Sequence, residues 1–178
     1  MSYFQNYFIS LSLQVNSIDP IKLEKASKLI QSISKKNGKI IIAGNGGSSS
    51  IASHVSVDLT KNANIRSVNF NEADLITCFA NDYGYERWIE KALVSYADSE
   101  DLVILISSSG TSKNIINGGK KAKELGLKII TLSGFDANNP LRELGDYNFW
   151  LDSNIYNIVE LTHSIWLLAI VDHIIENM

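Results

Sequence analysis

Leu102-Val103-Ile104-Leu105-Ile106-Ser107-Ser108-Ser109-Gly110-Thr111-Ser112 carries the plainest architectural signal in the chain. Five consecutive aliphatic residues make a strand buried on both faces, as in a parallel sheet. The run then breaks into five hydroxyl residues around one glycine, and a helical pattern follows from about Asn114 to Leu125. Such a turn stands at a helix N-terminus, where backbone N–H groups lack partners and the helix dipole favours an anion. Hydroxyls add hydrogen bonds to phosphate oxygens, and Gly110 lets the backbone bend close to a ligand. A helix cap needs only one Ser or Thr. Five hydroxyls in six positions therefore point to an anion site, and one that needs no Walker A lysine.

Upstream, Lys39 to Ala43 is a second buried strand, followed by Gly44-Asn45-Gly46-Gly47-Ser48 and a helix from about Ser49 to Leu59. The third glycine comes too early for G-x-G-x-x-G. Alone, this turn is a tight strand-to-helix connection. Beside the serine turn it reads as a second pocket wall, with Asn45 and Ser48 bonding sugar hydroxyls or phosphate.

Further strands are expected at Ile65–Phe70, Lys128–Leu132 and Tyr147–Leu151, and helices at Ala73–Phe79, Tyr85–Tyr96 and Tyr156–Asn177. Phe4, Phe8, Leu11 and Val15 recur at helical spacing. Asp19 and Pro20 start a second helix that Asn37-Gly38 stops. Residues 1–178 thus read as one domain, with N-terminal helices over 1–37 and an α/β core over 38–178. The expected architecture is a three-layer α/β/α sandwich around a flavodoxin-like parallel sheet. Both turns leave strand ends on one sheet edge, where such sheets bind ligands.

The chain has 178 residues, a net charge of −3, and 45% hydrophobic and 20% charged residues. No basic stripe argues for nucleic acid or for an anionic membrane surface. Cys78 has no partner for an internal disulfide, which fits a reducing, cytoplasmic setting, and it reads as a small buried residue. No basic leader with a cleavage site stands at the N-terminus, and no uninterrupted apolar run reaches membrane length. The helix from Tyr156 carries Val159, Leu161, Ile165, Trp166, Leu167, Leu168, Ile170 and Val171 around most of its circumference. Its outer face is expected to pack on another subunit of a homo-oligomer.

Gly44-Asn45-Gly46-Gly47-Ser48 with His54 and Asp58-Leu59-Thr60 resembles the opening signature of the sugar isomerase (SIS) fold. Ala80-Asn81-Asp82-Tyr83-Gly84-Tyr85, the Ile106–Ser112 turn and Thr131-Leu132-Ser133-Gly134 extend the likeness to the phosphoheptose isomerase family. The resemblance spans nearly the whole chain. It implies a cytoplasmic homotetramer with active sites shared between subunits. It also implies interconversion of sedoheptulose 7-phosphate and D-glycero-D-manno-heptose 7-phosphate, for lipopolysaccharide or capsule heptose synthesis, and Zn²⁺ in several members. It sets Asn45, Gly46, Gly47, Ser48, Asp82, Asn157, Ser107, Ser108, Ser109 and Ser112 at substrate or phosphate positions. Asp58 falls where the family has a catalytic Glu, Glu160 where it usually has Gln, and Asn157 where it usually has Asp. His54 and His163 match family histidines, while the family's second histidine on that helix, its catalytic acid, has no counterpart here, its position falling near Leu168.

Isomerisation between aldose and ketose needs a base, an acid and a stabilised oxyanion. His54 and Asp58, four apart, share one helix face, and Glu160 and His163, three apart, share another. Converging, they offer Asp58 or Glu160 as base and His54 or His163 as acid. The same four could hold Zn²⁺. Each also has a plain structural reading. Asp58 could be a solvated residue beside Lys61, His54 a bonded core histidine, Glu160 an N-terminal helix carboxylate, and His163 an interface residue. His173 belongs to the surface or an interface. A non-catalytic sugar-phosphate regulator, or an isomerase of a different sugar phosphate, would use the same turn.

Overall fold

The aliphatic run is the middle of the sheet. In a computed structural model describing Met1–Met178, β3 (Leu102–Ser107) lies between β1 (Ile40–Gly44) and β4 (Lys128–Ser133), parallel to both. Adding β2 (Ser67–Asn69) and β5 (Tyr147–Trp150) gives five parallel strands in the order β2-β1-β3-β4-β5. This is the flavodoxin-like order, with its switch point between β1 and β3.

Strand alternation splits the interior into two cores. Ile40, Ile42, Leu102, Ile104 and Ile106 face α2 (Pro20–Lys35), α3 (Gly47–Lys61) and α7 (Tyr156–Glu176). Ile41, Ala43, Val103 and Leu105 face α5 (Trp88–Tyr96) and α6 (Lys113–Glu124), with α4 (Ala73–Tyr83) packed at the edge. Tyr7 and Leu11 of α1 (Tyr3–Val15) lean on the first core. Ser2 and Gln5 form a capping box at the start of α1, and Asp19 caps α2.

Four expectations shift. Strand β2 pairs over three residues only, and Ile65 and Phe70 flank it in opposite cores. Helix α4 runs through Asn81, Asp82 and Tyr83, where Gly84 at φ 88° ends it, and a 3-10 turn over Tyr85–Arg87 precedes α5. Cys78 is exposed rather than buried, since α4 buries none of its residues fully. Finally, α7 is long and apolar enough to cross a membrane by length and composition, with a mean hydropathy of 1.6. Half of that apolar stretch is buried, and Ile158, Val159, Trp166 and Ile170 belong to the first core.

Candidate functional site

Gly44 and Ile106 are register partners at the carboxyl ends of β1 and β3, so the glycine and serine turns leave the sheet side by side. Between them lies a pocket of about 110 Å³ lined by Asn45, Ser48, Ser107, Ser108, Ser109, Ser112, Tyr156 and Glu160. Ser107 Oγ donates to Ser112 Oγ at 3.2 Å, and Thr111 Oγ1 donates to Ser109 Oγ at 2.9 Å. Ser108 Oγ is buried without a protein partner. Neither Gly46 nor Ser112, the N-caps of α3 and α6, bonds the first turn with a side chain. At the start of α3 the amides of Ser48, Ser49 and Ser50 already bond the Asn45 and Gly46 carbonyls, whereas those of Lys113, Asn114 and Ile115 at the start of α6 bond no backbone carbonyl and are free for a ligand. Gly110 holds φ 67°, and a β-carbon there would lie 2.7 Å from Asn139 Cβ.

Glu160 also lines a second cavity, a groove of about 310 Å³ between α3 and α7 bounded by Gly47, Ile51, Asn157, Glu160, Leu161 and Ser164. His54 and Asp58 follow Gly47 and Ile51 on the same face of α3, since seven and eleven residues are close to whole turns. At 1.5 Å per residue they stand about 10 and 16 Å beyond the start of α3. His54 Nε2 lies 3.4 Å from Asp58 Oδ2, and Asn62 Nδ2 donates to Asp58 Oδ1 at 3.1 Å.

On the far side of the glycine turn, Asn45 and Asn114 exchange side-chain hydrogen bonds of 2.9 and 2.8 Å. Tyr85 donates its hydroxyl to Asn45 Oδ1 at 3.1 Å.

The SIS-domain family model matches residues 3–134. The phosphoheptose isomerase of Aliarcobacter butzleri (strain RM4018) is 38% identical over 138 residues, covering 74% of this chain and 72% of that one. That of Helicobacter pylori (strain P12) is 34% identical over 143 residues, covering 77% and 73%. The chain belongs to the phosphoheptose isomerase family of SIS-domain proteins. The structure of phosphoheptose isomerase from Neisseria gonorrhoeae superposes with a TM-score of 0.86 at 25% identity, covering 93% of this chain and 92% of that one.

In this SIS domain the site residues expected from sequence divide into groups. Asn45, Ser48, Ser107, Ser108, Ser109, Ser112 and Glu160 meet in the pocket. Gly47 and Asn157 line the groove, and Gly46 caps α3 at φ 55°. Asp82 does not join them. It sits exposed in the last turn of α4, hydrogen-bonded by Asn81 Nδ2 at 3.0 Å.

His163 is a correction. It does not share the groove with Glu160 but lies fully buried, with Nε2 donating to the Ser133 carbonyl at 3.2 Å and Nδ1 unpartnered. Burial lowers its pKa to about 4, against a smaller upward effect of the Ser133 bond, so the ring is neutral. Three residues advance 300° around a helix, and that offset turns His163 inward with Val159, Thr162 and Trp166.

The four-residue set His54, Asp58, Glu160 and His163 therefore does not assemble, and no group of three or more His, Cys, Asp and Glu could hold a metal ion. Catalytic zinc takes three protein ligands. The His54–Asp58 pair supplies two, so the donor set of one chain does not fit Zn²⁺.

Sequence reasoning missed Tyr156, Tyr85 and Asn114. The signal for Asn114 was its place on a buried face of α6, four residues before Gly118 and eight before Ala122.

Proposed function

We propose that the protein is an aldose–ketose isomerase that interconverts sedoheptulose 7-phosphate and D-glycero-D-manno-heptose 7-phosphate through an enediol. The observation that carries this reading is that the serine pocket and the groove along α3 lie side by side, with Glu160 lining both. An extended seven-carbon chain with its phosphate spans roughly 10 Å, the rise of α3 from Gly47 to His54. With the phosphate on the serine turn, the far end of the sugar runs along α3 toward His54, whose Nε2 lies 3.4 Å from Asp58 Oδ2. A sensor needs only the serine turn, and the imidazole and carboxylate further along favour an enzyme.

Ser107, Ser108, Ser109 and Ser112, with the first amides of α6, hold the phosphate. Asn45, Ser48 and the backbone of Gly46 and Gly47 hold the ester end, and Glu160 and Asn157 meet hydroxyls along the groove. Asp58 takes the proton from carbon 1 of the ketose while His54 gives one to the carbonyl oxygen at carbon 2. The enediol then receives the proton back at carbon 2, and His54 takes the proton from the oxygen on carbon 1, giving the aldose. The steps balance on protons alone. A zinc ion at the pair would need donors from a second chain.

Residues 1–178 act as one SIS domain in a cytoplasmic homotetramer with shared sites, serving lipopolysaccharide or capsule heptose synthesis. In support of assembly, Phe4, Phe8 and Leu13 of α1 and Leu161 and Ile165 of α7 are exposed. His54, with 59% of its side chain exposed, leaves the groove room for a partner. Incubation with sedoheptulose 7-phosphate, followed by NMR, is expected to show the aldose. Bound ligand with no aldose contradicts the proposal.

A further inference from the structure

We infer that Asn114 and Tyr85 are positioning residues that set the side-chain amide of Asn45, so that it presents one N–H to the phosphorylated sugar. The inference rests on the reading of the crevice as the sugar-phosphate site. Three elements meet at this amide: the turn after β1, the first turn of α6, and the 3-10 turn after α4.

A primary amide carries two N–H donors and an oxygen with two lone pairs. Asn45 Oδ1 accepts from Asn114 Nδ2 at 2.8 Å and from Tyr85 OH at 3.1 Å, which fills it. Asn45 Nδ2 gives one hydrogen to Asn114 Oδ1 at 2.9 Å. One N–H remains, on a residue that lines the serine pocket. A phosphoryl or hydroxyl oxygen arriving there meets a donor.

Were the Asn45 amide reversed, the incoming oxygen would face a carbonyl lone pair. Asn114, only 2% exposed, opposes reversal of Asn45 alone, since a broken amide pair would leave its buried polar atoms unsatisfied. The pair also ties the two turns together across the switch point. Asp at position 114 would offer no donor, and Leu no bond at all.

The test is a double-mutant cycle on the full chain, read as the dissociation constant for sedoheptulose 7-phosphate by calorimetry. Asn45→Ala is expected to weaken binding about tenfold, the value of one hydrogen bond to a charged group. Asn114→Ala is expected to weaken it by a similar factor, and the double variant no more than Asn45→Ala alone. A residue that merely supports the fold would add its loss in full.

Tyr85 is 53% exposed, so Tyr85→Phe keeps the fold if Asn114→Ala does not. It is expected to weaken binding about threefold alone, and not at all in the Asn45→Ala background. Additive losses in either cycle, or single variants that bind like the parent, overturn the inference. A parent that binds without turnover sinks the isomerase reading alone and leaves the cycle to decide this one. A parent that does not bind overturns both.

Discussion

The Glu160 carboxylate lies against the α-carbon of Gly47, so close that a β-carbon there would sit 2.6 Å from Glu160 Cδ. This contact joins the start of α3 to α7 where Glu160 lines both pocket and groove. It also sorts two helix N-termini at the crevice. The positive end of α3 already faces a carboxylate, so the start of α6, free of any acidic residue in its first turn, is the one left for a phosphate.

Gly47→Ala forces that carboxylate aside. The clash is with the far end of a flexible side chain, so stability is expected to fall by less than about 1 kcal/mol. Turnover of sedoheptulose 7-phosphate is expected to drop about tenfold or more, since a misplacement near 1 Å at a positioning group costs up to about a hundredfold. Steady-state kinetics beside thermal unfolding checks both. Full activity in this variant would detach Glu160 from the reaction.

Glu160→Gln removes a negative charge from the lining of the phosphate pocket. A like charge about 6 Å from a phosphate at intermediate dielectric costs on the order of 1 kcal/mol or more. Binding of inorganic phosphate is therefore expected to tighten about fivefold, and less at high salt. Calorimetry at two salt concentrations measures it. Weaker phosphate binding would show that Glu160 does not face the anion.

Gly110→Ala acts on the backbone. Its φ of 67° disfavours a β-carbon, and the new atom would displace Asn139, which bonds Ser133, Gly134, Asp136 and the Arg142 amide. A loss of about 3 kcal/mol is expected from strain and broken bonds. In thermal unfolding that lowers Tm by about 10 °C. An unchanged Tm would contradict the turn geometry.

His163 ties stability to pH. Its folded pKa of about 4 lies below the ordinary 6.5 because the ring is buried. The unfolded chain thus takes up the proton first as pH falls. The full contribution is present above pH 6.5 and is lost progressively down to pH 4, in total about 3 kcal/mol. Urea midpoints from pH 7.5 to 4 should fall more steeply in the parent than in His163→Gln, which stays neutral. Parallel slopes would mean that the imidazole is not buried.

Much of this was legible in the residues. Aliphatic runs ending in Gly44-Asn45-Gly46-Gly47 and Ser107-Ser108-Ser109 mark strand ends without any tertiary knowledge, and both turns lie where expected. Helix α7 was not readable in the same way. Apolar residues surround it, so periodicity names no inner face, and His163 could not be told from Glu160. Asn81-Asp82-Tyr83-Gly84 reads as a turn, yet only Gly84 leaves the helix. Asn114 was overlooked because local pattern shows caps and stripes, whereas its partner stands 69 positions away.

Proton movement at carbons 1 and 2 is what the His54–Asp58 pair and the phosphate pocket are together held to accomplish. Sedoheptulose 7-phosphate incubated with the protein in D₂O should acquire deuterium at carbon 1, and the aldose formed should carry it at carbon 2. Asp58→Asn should bind the sugar phosphate but incorporate none. A parent protein that binds the sugar phosphate and leaves both carbons unlabelled would contradict the account.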